Sequence, residues 1–245
     1  MPWGKLTMIA ALAAGAALVL VPAAALATGV VVATSGPSAA KYPVGRKIGD
    51  DERIVLAVGD TVTVLDGRGT RILKGAGTYT LSQQAGPSKS GAFALLTRER
   101  AAQRMRTGAV RGEVGGPITR PNLWYVDVAS AGATCLPKND EIRLWRPTSS
   151  GDATYSIKPV DGNATTQVVF HDGEMLSPWD GKALPVVDGS SFVISQPGAA
   201  AKTVTFKLLD SVPDQPDALA EDLISHGCTA QLDVLSQATR VDEEE

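Results

Sequence analysis

Residues 53–73 read RIVLAVGDTVTVLDGRGTRIL, and this stretch decides the fold of the first part of the chain. Apolar residues alternate along it, so Val62 and Val64 fall on the same face of one extended strand. Residues 59–60 and 66–69 are turn sequences, in which glycine and aspartate permit tight reversals. Short alternating runs between such turns predict a β-meander with little room for a helix.

The same pattern continues on both sides of this stretch. A β-branched run at residues 30–32 predicts the first strand, and residues 78–81 predict the last one. These limits give a small β domain over residues 28–85.

The region from residue 121 to residue 236 predicts a second, larger β domain. Short β-branched and aromatic runs recur there about every ten residues, which is typical of a β-sandwich. We expect a strong strand over 123–128, one short helix over 217–225 and a last strand over 232–235. Asp-Gly pairs mark the turns between the strands, at residues 161–162, 172–173, 180–181 and 188–189.

Residues 1–27 have the form of an export signal. Lys5 precedes an uncharged apolar run over 6–21, Pro22 ends it, and Ala-Leu-Ala at 25–27 fits a signal-peptidase site. The alternative is an uncleaved anchor in the inner membrane, which would keep the protein close to that membrane. Both interpretations place the folded part on the exported side, and a bacterial leader of this kind predicts the periplasm.

Two cysteines, Cys135 and Cys228, are predicted to form a disulfide, because paired cysteines in an exported chain usually do. Cross-linking a loop this long stabilises a fold by about 4–5 kcal/mol in a chain-entropy model. A redox or metal pair is the alternative, but neither a C-x-x-C spacing nor a histidine at ligand spacing accompanies them. With Trp145 between them, the order Cys-Trp-Cys predicts an immunoglobulin-like sandwich in the broad sense.

The stretch over residues 86–120 is basic, with seven arginine or lysine residues against two glutamates. Its middle, residues 92–106, contains neither glycine nor proline and predicts a linker helix that packs lightly on one domain. The alternative is a contact with an anionic surface polymer or lipid headgroups, made by Arg100, Arg104 and Arg106.

The charge of the chain excludes a general affinity for nucleic acid. The sequence carries 23 basic and 26 acidic residues, and Lys5 leaves with the leader, so the mature net charge is −4. Residues 237–245 end in Asp-Glu-Glu-Glu and are predicted to be a solvated acidic tail.

No catalytic, metal or cofactor motif stands out. His171 is predicted to lie on the surface in a turn, and His226 is predicted to cap the end of a helix. The sequence contains no Gly-x-Ser-x-Gly elbow, phosphate-binding loop or dinucleotide fingerprint. Trp179 follows a proline in a predicted turn, where an exposed tryptophan would be a candidate binding residue. The alternative for Trp179 is a residue that covers the rim of the sandwich.

The first domain resembles the FecR-type domain of bacterial envelope proteins. The resemblance begins at the Pro-Val-Gly sequence at residues 43–45. Its matching positions are Gly59, Asp60, Val62, Val64, Asp66 and Gly69. The resemblance implies a small β fold and an interaction role in the periplasm. FecR proteins relay a signal through a cytoplasmic segment ahead of their membrane span. Only five residues precede the apolar run here, so that role is not expected.

These patterns together predict an exported, mainly β, non-catalytic adaptor or sensor accessory that binds another envelope protein. A glycan- or cell-wall-binding protein is the alternative, with Trp179 and the basic linker as its first candidate contacts. An enzyme of an unrecognised type is a third.

Overall fold

The computed structural model describes residues 28–84, 88–98, 120–138 and 140–241. These residues form a mainly β protein, as the sequence predicts, with 36% strand and 18% helix. Three α-helices occur among them: α1 (Ser90–Thr97), α2 (Pro216–Ser225) and α3 (Thr229–Ala238).

The strands are short and are numbered here in chain order. Those of the first part are β1 (Thr28–Ser35), β2 (Lys47–Gly49), β3 (Ile54–Leu56), β4 (Thr61–Asp66), β5 (Gly69–Lys74) and β6 (Gly77–Tyr79). Those of the second part are β7 (Val126–Asp127), β8 (Gly132–Pro137), β9 (Arg143–Trp145), β10 (Ala153–Pro159), β11 (Thr166–Phe170), β12 (Leu176–Pro178), β13 (Ser191–Ser195) and β14 (Lys202–Leu209).

The first part is an antiparallel sheet in the order β2-β1-β4-β5, with a separate ribbon made of β3 and β6. The predicted strands at 30–32 and 53–73 are confirmed. Val62 and Val64 pack with the ribbon in a small core, as their shared face predicts. Leu65 points to the opposite side and is also fully buried, so β4 is covered on both faces.

A buried ion pair closes the β4–β5 hairpin. Asp66 accepts hydrogen bonds from the backbone N–H groups of Arg68 and Gly69, and its second carboxylate oxygen lies 2.7 Å from the Arg71 guanidinium. Arg71 also donates to the carbonyl oxygen of Leu81. Gly69 has a φ of +143°, and a Cβ there would lie 2.5 Å from the carbonyl oxygen of Thr239. The turn therefore requires glycine for two reasons, its backbone conformation and the close approach of the C-terminal segment.

Asp60 organises the turn before β4. Its carboxylate is buried and accepts hydrogen bonds from the backbone N–H groups of Ser38 and Ala57. The Ser38 side chain and backbone N–H hold the pKa of Asp60 below its ordinary value, while burial acts in the opposite direction. Asp60 thus ties the turn to the segment that follows β1.

The second part contains a five-stranded sheet in the order β11-β10-β13-β14-β8 and a three-stranded sheet in the order β12-β9-β7. A β-sandwich with short helices fits this arrangement. Side chains from both sheets belong to one buried core, which includes Leu144 of the three-stranded sheet and Ile157, Phe192 and Phe206 of the five-stranded one. Two of the pairings are parallel, β14 with β8 and β7 with β9.

The predicted strand over 123–128 is mostly wrong, because only Val126 and Asp127 pair as β7. The backbone before them is held by other groups. Leu123 donates its N–H to the carbonyl oxygen of Leu96, and Trp124 donates its N–H to the side chain of Asn122. These bonds satisfy the backbone without a strand partner.

The predicted last strand over 232–235 is also wrong, since these residues lie within α3. Leu232 and Leu235 are three positions apart, so both fall on one face of a helix and are buried. A short apolar run fits both the helical and the strand period, and here the helical period is the correct one. The prediction of a single short helix in this domain is corrected to two.

The two parts share one hydrophobic core. Val30, Val32 and Leu65 of the first sheet belong to the same cluster of buried side chains as α2, α3 and the sandwich. Two domains joined by a flexible linker are expected to move relative to each other, but a shared core favours a fixed arrangement of the two parts. The predicted solvated tail over 237–245 is wrong for residues 237–241, because these residues are part of the fold. The N–H of Thr70 donates to the carbonyl oxygen of Thr239, and the N–H of Val241 donates to the carbonyl oxygen of Thr70.

The predicted basic linker is only partly described. Its helix over 92–106 corresponds to α1 as far as Thr97, and α1 buries Phe93 and Leu96 against the main core. Arg120, at the end of the predicted linker, is buried and donates to the carbonyl oxygen of Tyr125. Burial lowers the pKa of this guanidinium, while the charge of Asp127 acts in the opposite direction.

The predicted disulfide is confirmed. Cys135 in β8 and Cys228, just ahead of α3, are bonded with their Cα atoms 5.9 Å apart. A disulfide indicates an oxidising, exported environment. In the described ranges, no helix combines the length and apolar character needed to cross a bilayer.

Gln231 of α3 fixes the helix to the outer edge of β8. Its side-chain oxygen accepts from the N–H of Cys135 at 2.6 Å, and its amide nitrogen donates to the carbonyl oxygens of Cys135 and Leu123. The side chain is 1% exposed. One buried amide thus takes the place of a neighbouring strand at this edge.

Replacement of Gln231 by alanine should lower the free energy of unfolding by about 2–4 kcal/mol, because one buried N–H and two carbonyl groups lose their partner. Urea unfolding followed by circular dichroism measures this. Gln237→Ala on the exposed face of α3 is the matched control and should stay within about 0.5 kcal/mol of wild type. Equal losses in the two variants would contradict the role given to Gln231.

Asp60→Asn should remove a contribution to the free energy of unfolding that the wild type loses in acid. Because the folded-state pKa of Asp60 lies below its ordinary value of 3.8, the ionised carboxylate stabilises the fold above that value. The wild type should be more stable than Asp60→Asn above about pH 5, and the difference should shrink as the pH falls through 3.8 and below. Urea unfolding across this range tests it, with exposed Asp51→Asn as the control. A difference that does not change with pH would contradict it.

Candidate binding cleft

A cleft of about 870 Å³ opens at one end of the sandwich. Its walls come from the loop that leaves β8, the start of β9, the segment over 185–188 and the end of β14. The cleft is within the size range of sites that hold small ligands or peptide side chains.

The floor of the cleft is apolar and rigid. Trp179 packs edge-on against Phe192 and Phe206, with ring centroids 5.0 and 5.4 Å away. The indole N–H donates to the carbonyl oxygen of Leu184 at 2.8 Å. Leu136 completes the buried floor.

Hydrogen bonds hold the walls in place before any ligand arrives. Asp180 accepts from the N–H groups of Lys182 and Ala183, which fixes the turn after Trp179. On the other wall, Asp188 accepts from the N–H of Leu208 at 2.9 Å. A preformed site loses less entropy on binding than one that must order itself.

The rim of the cleft is acidic. Four carboxylates and one ammonium group line it, and the Arg143 guanidinium adjoins it as the partner of Glu141, so the formal excess is two negative charges. The exposed carboxylate of Asp210 lies 3.0 Å from the Lys138 ammonium, and Glu141 pairs with Arg143 at 2.8 Å. These are surface pairs, and such pairs are weak because water screens them. The four carboxylates are those of Asp140, Glu141, Asp188 and Asp210.

A second groove, of about 630 Å³, lies where α1 meets the start of α2. Phe93 and Trp124 line it together with prolines and with Arg98. Pro137 and Asp140 line both grooves, so the two are adjacent.

The structure distinguishes between the two interpretations of Trp179, an exposed binding residue or a residue that covers the sandwich rim. Its side chain is 7% exposed, and its ring belongs to the core beneath the cleft. This burial favours a residue that covers the sandwich rim. A ring buried to this degree offers no face on which a sugar could stack.

The other predicted site residues are three arginines of the linker and the two cysteines. Arg100, Arg104 and Arg106 lie outside the described residues. Cys135 and Cys228 are fully buried, so solvent does not contact their disulfide.

The two histidines have the structural roles predicted for them. His171 is exposed in a turn, and its Nδ1 atom is 4.0 Å from a carboxylate oxygen of Asp152. His226 caps α2 with its Nδ1 atom 2.8 Å from the carbonyl oxygen of Asp222. The Ser225 hydroxyl lies 3.0 Å from the same Nδ1 atom, but it also donates to the carbonyl oxygen of Asp222. This serine and histidine share a helix carbonyl, which is a capping arrangement and not a nucleophile with its base.

Metal binding finds no support in the part of the chain that the structure describes. No group of three or more histidine, cysteine, aspartate or glutamate side chains there is arranged to hold an ion.

No protein-family model, no curated protein and no solved structure matches this chain. The resemblance of residues 43–69 to the FecR-type domain stays a prediction. The positions that carry it have clear structural roles, since Asp60 and Asp66 bind turn N–H groups and Gly69 allows a close approach.

Trp179→Phe should lower the free energy of unfolding by about 1–2 kcal/mol, because the carbonyl oxygen of Leu184 loses its buried donor. Retention on cell-wall or polysaccharide resin should not change, since the indole is almost fully buried. Thermal unfolding and resin retention measured on the same preparation test both expectations. Lost retention with unchanged stability would instead make Trp179 a binding residue.

Proposed function

We propose that this is an exported, non-catalytic binding protein, an adaptor or sensor accessory that contacts another envelope protein through the cleft at the end of the sandwich. The observation that carries the proposal is a preformed cleft with an apolar floor and a charged rim. Interfaces between proteins commonly combine a buried apolar centre with such a rim.

The exposed side chains around the cleft support a protein ligand. Val187 lines it and is 63% exposed, although most of the large apolar residues of the described part are buried. An apolar side chain at the mouth of a preformed cleft offers an anchor point for a partner. The charged groups beside it would then form the rim of the contact.

The non-catalytic part of the proposal rests on chemistry. Apart from Lys138, the ionisable groups of the cleft are carboxylates, and none of its lining residues is a cysteine, serine or histidine. Acyl transfer requires a nucleophile beside its base. The Ser225–His226 contact at the end of α2 caps the helix, and the Ser130 hydroxyl donates to the Asp127 carboxylate within the turn after β7.

The periplasm is the compartment that we propose for this protein. The disulfide supports an oxidising compartment, and the form of residues 1–27 supports export through the inner membrane. The resemblance to FecR-type domains is consistent with that location. An uncleaved leader would keep the protein close to the membrane.

Binding of a glycan or cell-wall polymer is the second candidate, and one observation favours it. The outward face of the five-stranded sheet exposes hydroxyl, amide and ammonium groups, and β10, β11, β13 and β14 contain no acidic residue. The exposed polar residues of this face are Thr154, Lys158, Gln167 and Thr203. No aromatic side chain of these strands is exposed, so a sugar would lack a stacking surface there.

In-cell photo-cross-linking can distinguish the two candidates. A photoreactive amino acid at position 187 probes the cleft, and the same group at position 203 probes the sheet face. We expect one reproducible envelope protein to be captured from position 187 and not from position 203. Capture of polymer from position 203 alone would favour the second candidate. Capture from neither position would count against both.

A further inference from the structure

We infer that the cleft accepts a basic segment of a partner protein, in which lysine or arginine residues alternate with apolar ones. This inference rests on the proposed function, because it names the ligand chemistry of the same cleft. Two features of the cleft support it, the charge of the rim and the apolar character of the floor and mouth.

The rim selects for positive charge. Glu141 comes just before β9, Asp188 before β13 and Asp210 just after β14, so a cation at the cleft meets carboxylates from three separate segments. The Lys138–Asp210 pair is open to solvent, with side-chain exposures of 56% and 87%. An exposed pair of this kind is easily rearranged, and Asp210 can then face an incoming ammonium or guanidinium group. An acidic ligand would meet a net repulsion from the same groups.

The floor and mouth select for apolar side chains. Leu136 and Trp179 form the base, Ile142 and Leu208 lie between base and rim, and Val187 stands at the mouth. A purely charged ligand, such as a polyamine, would leave this apolar surface exposed to water. A segment with alternating character can place cations at the rim while an apolar side chain enters the cleft.

The position of the carboxylates also opposes a compact cation as the ligand. The described residues contain no cluster that could coordinate a metal ion, and the carboxylates of the cleft come from separate segments of the chain. Several charges spaced along an extended chain match that distribution better than a single ion does.

The test measures binding of the synthetic peptide Ac-KLKLK-NH₂ to the full chain purified from the exported fraction, by calorimetry at low ionic strength. Ac-ELELE-NH₂ and Ac-KSKSK-NH₂ are the matched peptides that reverse the charge or remove the apolar side chains. We expect binding of the first peptide only, weakened by added salt because exposed charges are screened. Equal binding of either matched peptide would overturn the inference.

The cleft variant for this test is Glu141→Gln/Asp188→Asn/Asp210→Asn, which removes three rim charges and keeps an acceptor oxygen opposite the N–H of Leu208. Affinity should fall by about tenfold, the effect of removing several weak surface pairs. The matched control is Asp51→Asn/Asp161→Asn/Asp233→Asn, which changes the net charge equally at exposed sites outside the cleft. An equal loss in both triple variants would mean non-specific attraction and would overturn the inference.

The apolar half has its own pair of variants. Val187→Ser should weaken binding by several-fold, while Val160→Ser should not, since Val160 is 49% exposed but does not line the cleft. Equal affinities of the two variants would refute an apolar contact at the mouth.

Failure of this inference can be distinguished from failure of the proposed function. An acidic or neutral segment cross-linked to position 187 would leave the adaptor proposal standing and refute the basic ligand. Specific peptide binding without any captured envelope protein would leave the basic ligand standing and refute the adaptor.

Discussion

The outer edge of β8 is the constraint on which the rest of the structure depends. This strand is the last in its sheet and pairs in parallel with β14, so its other edge presents backbone groups that need partners. Gln231 supplies them for Cys135 in the middle of the strand, and the Cys135–Cys228 bond fixes the start of α3 beside the same strand. The position of α3 determines where α2 lies, and the two helices carry the first sheet on their other side. The loop that leaves β8 then becomes one wall of the cleft.

The local part of this fold could be predicted from the sequence, because local patterns control it. The alternation at 61–66 and the glycine turn after it gave β4 and β5, and the Asp-Gly pairs marked real turns. Predictions failed where distant residues satisfy the backbone. Leu123 finds its partners in α1 and α3, and α3 itself was mistaken for a strand because four residues fit both periods. The two interpretations of Trp179 could not be separated for a related reason, since only the tertiary structure brings Phe192 and Phe206 against it.

The cleft was beyond sequence reasoning because its parts come from separate segments. Lys138 meets Leu209 and Asp210 through the parallel pairing of β8 with β14, which a sequence rich in Asp-Gly turns does not suggest. The Asp188-Gly189 turn was recognised, but nothing in its local sequence indicated that Asp188 lines the same cleft as Glu141. Because the charged residues are distributed over three loops, they form no sequence motif. Each of them alone is an ordinary residue for a protein surface.

The pairing of the C-terminal segment with β5 has a consequence for the order in which the molecule can be assembled. Thr70 and Thr239 are hydrogen-bonded through both backbone and side chain, although 169 residues separate them. A chain that is made from its N-terminus cannot complete the edge of its first sheet until residues 239–241 have arrived. Contacts of such long range slow folding, so the first sheet should reach its native form late. A truncated product would then be recognisable to quality-control proteases by its incomplete first sheet.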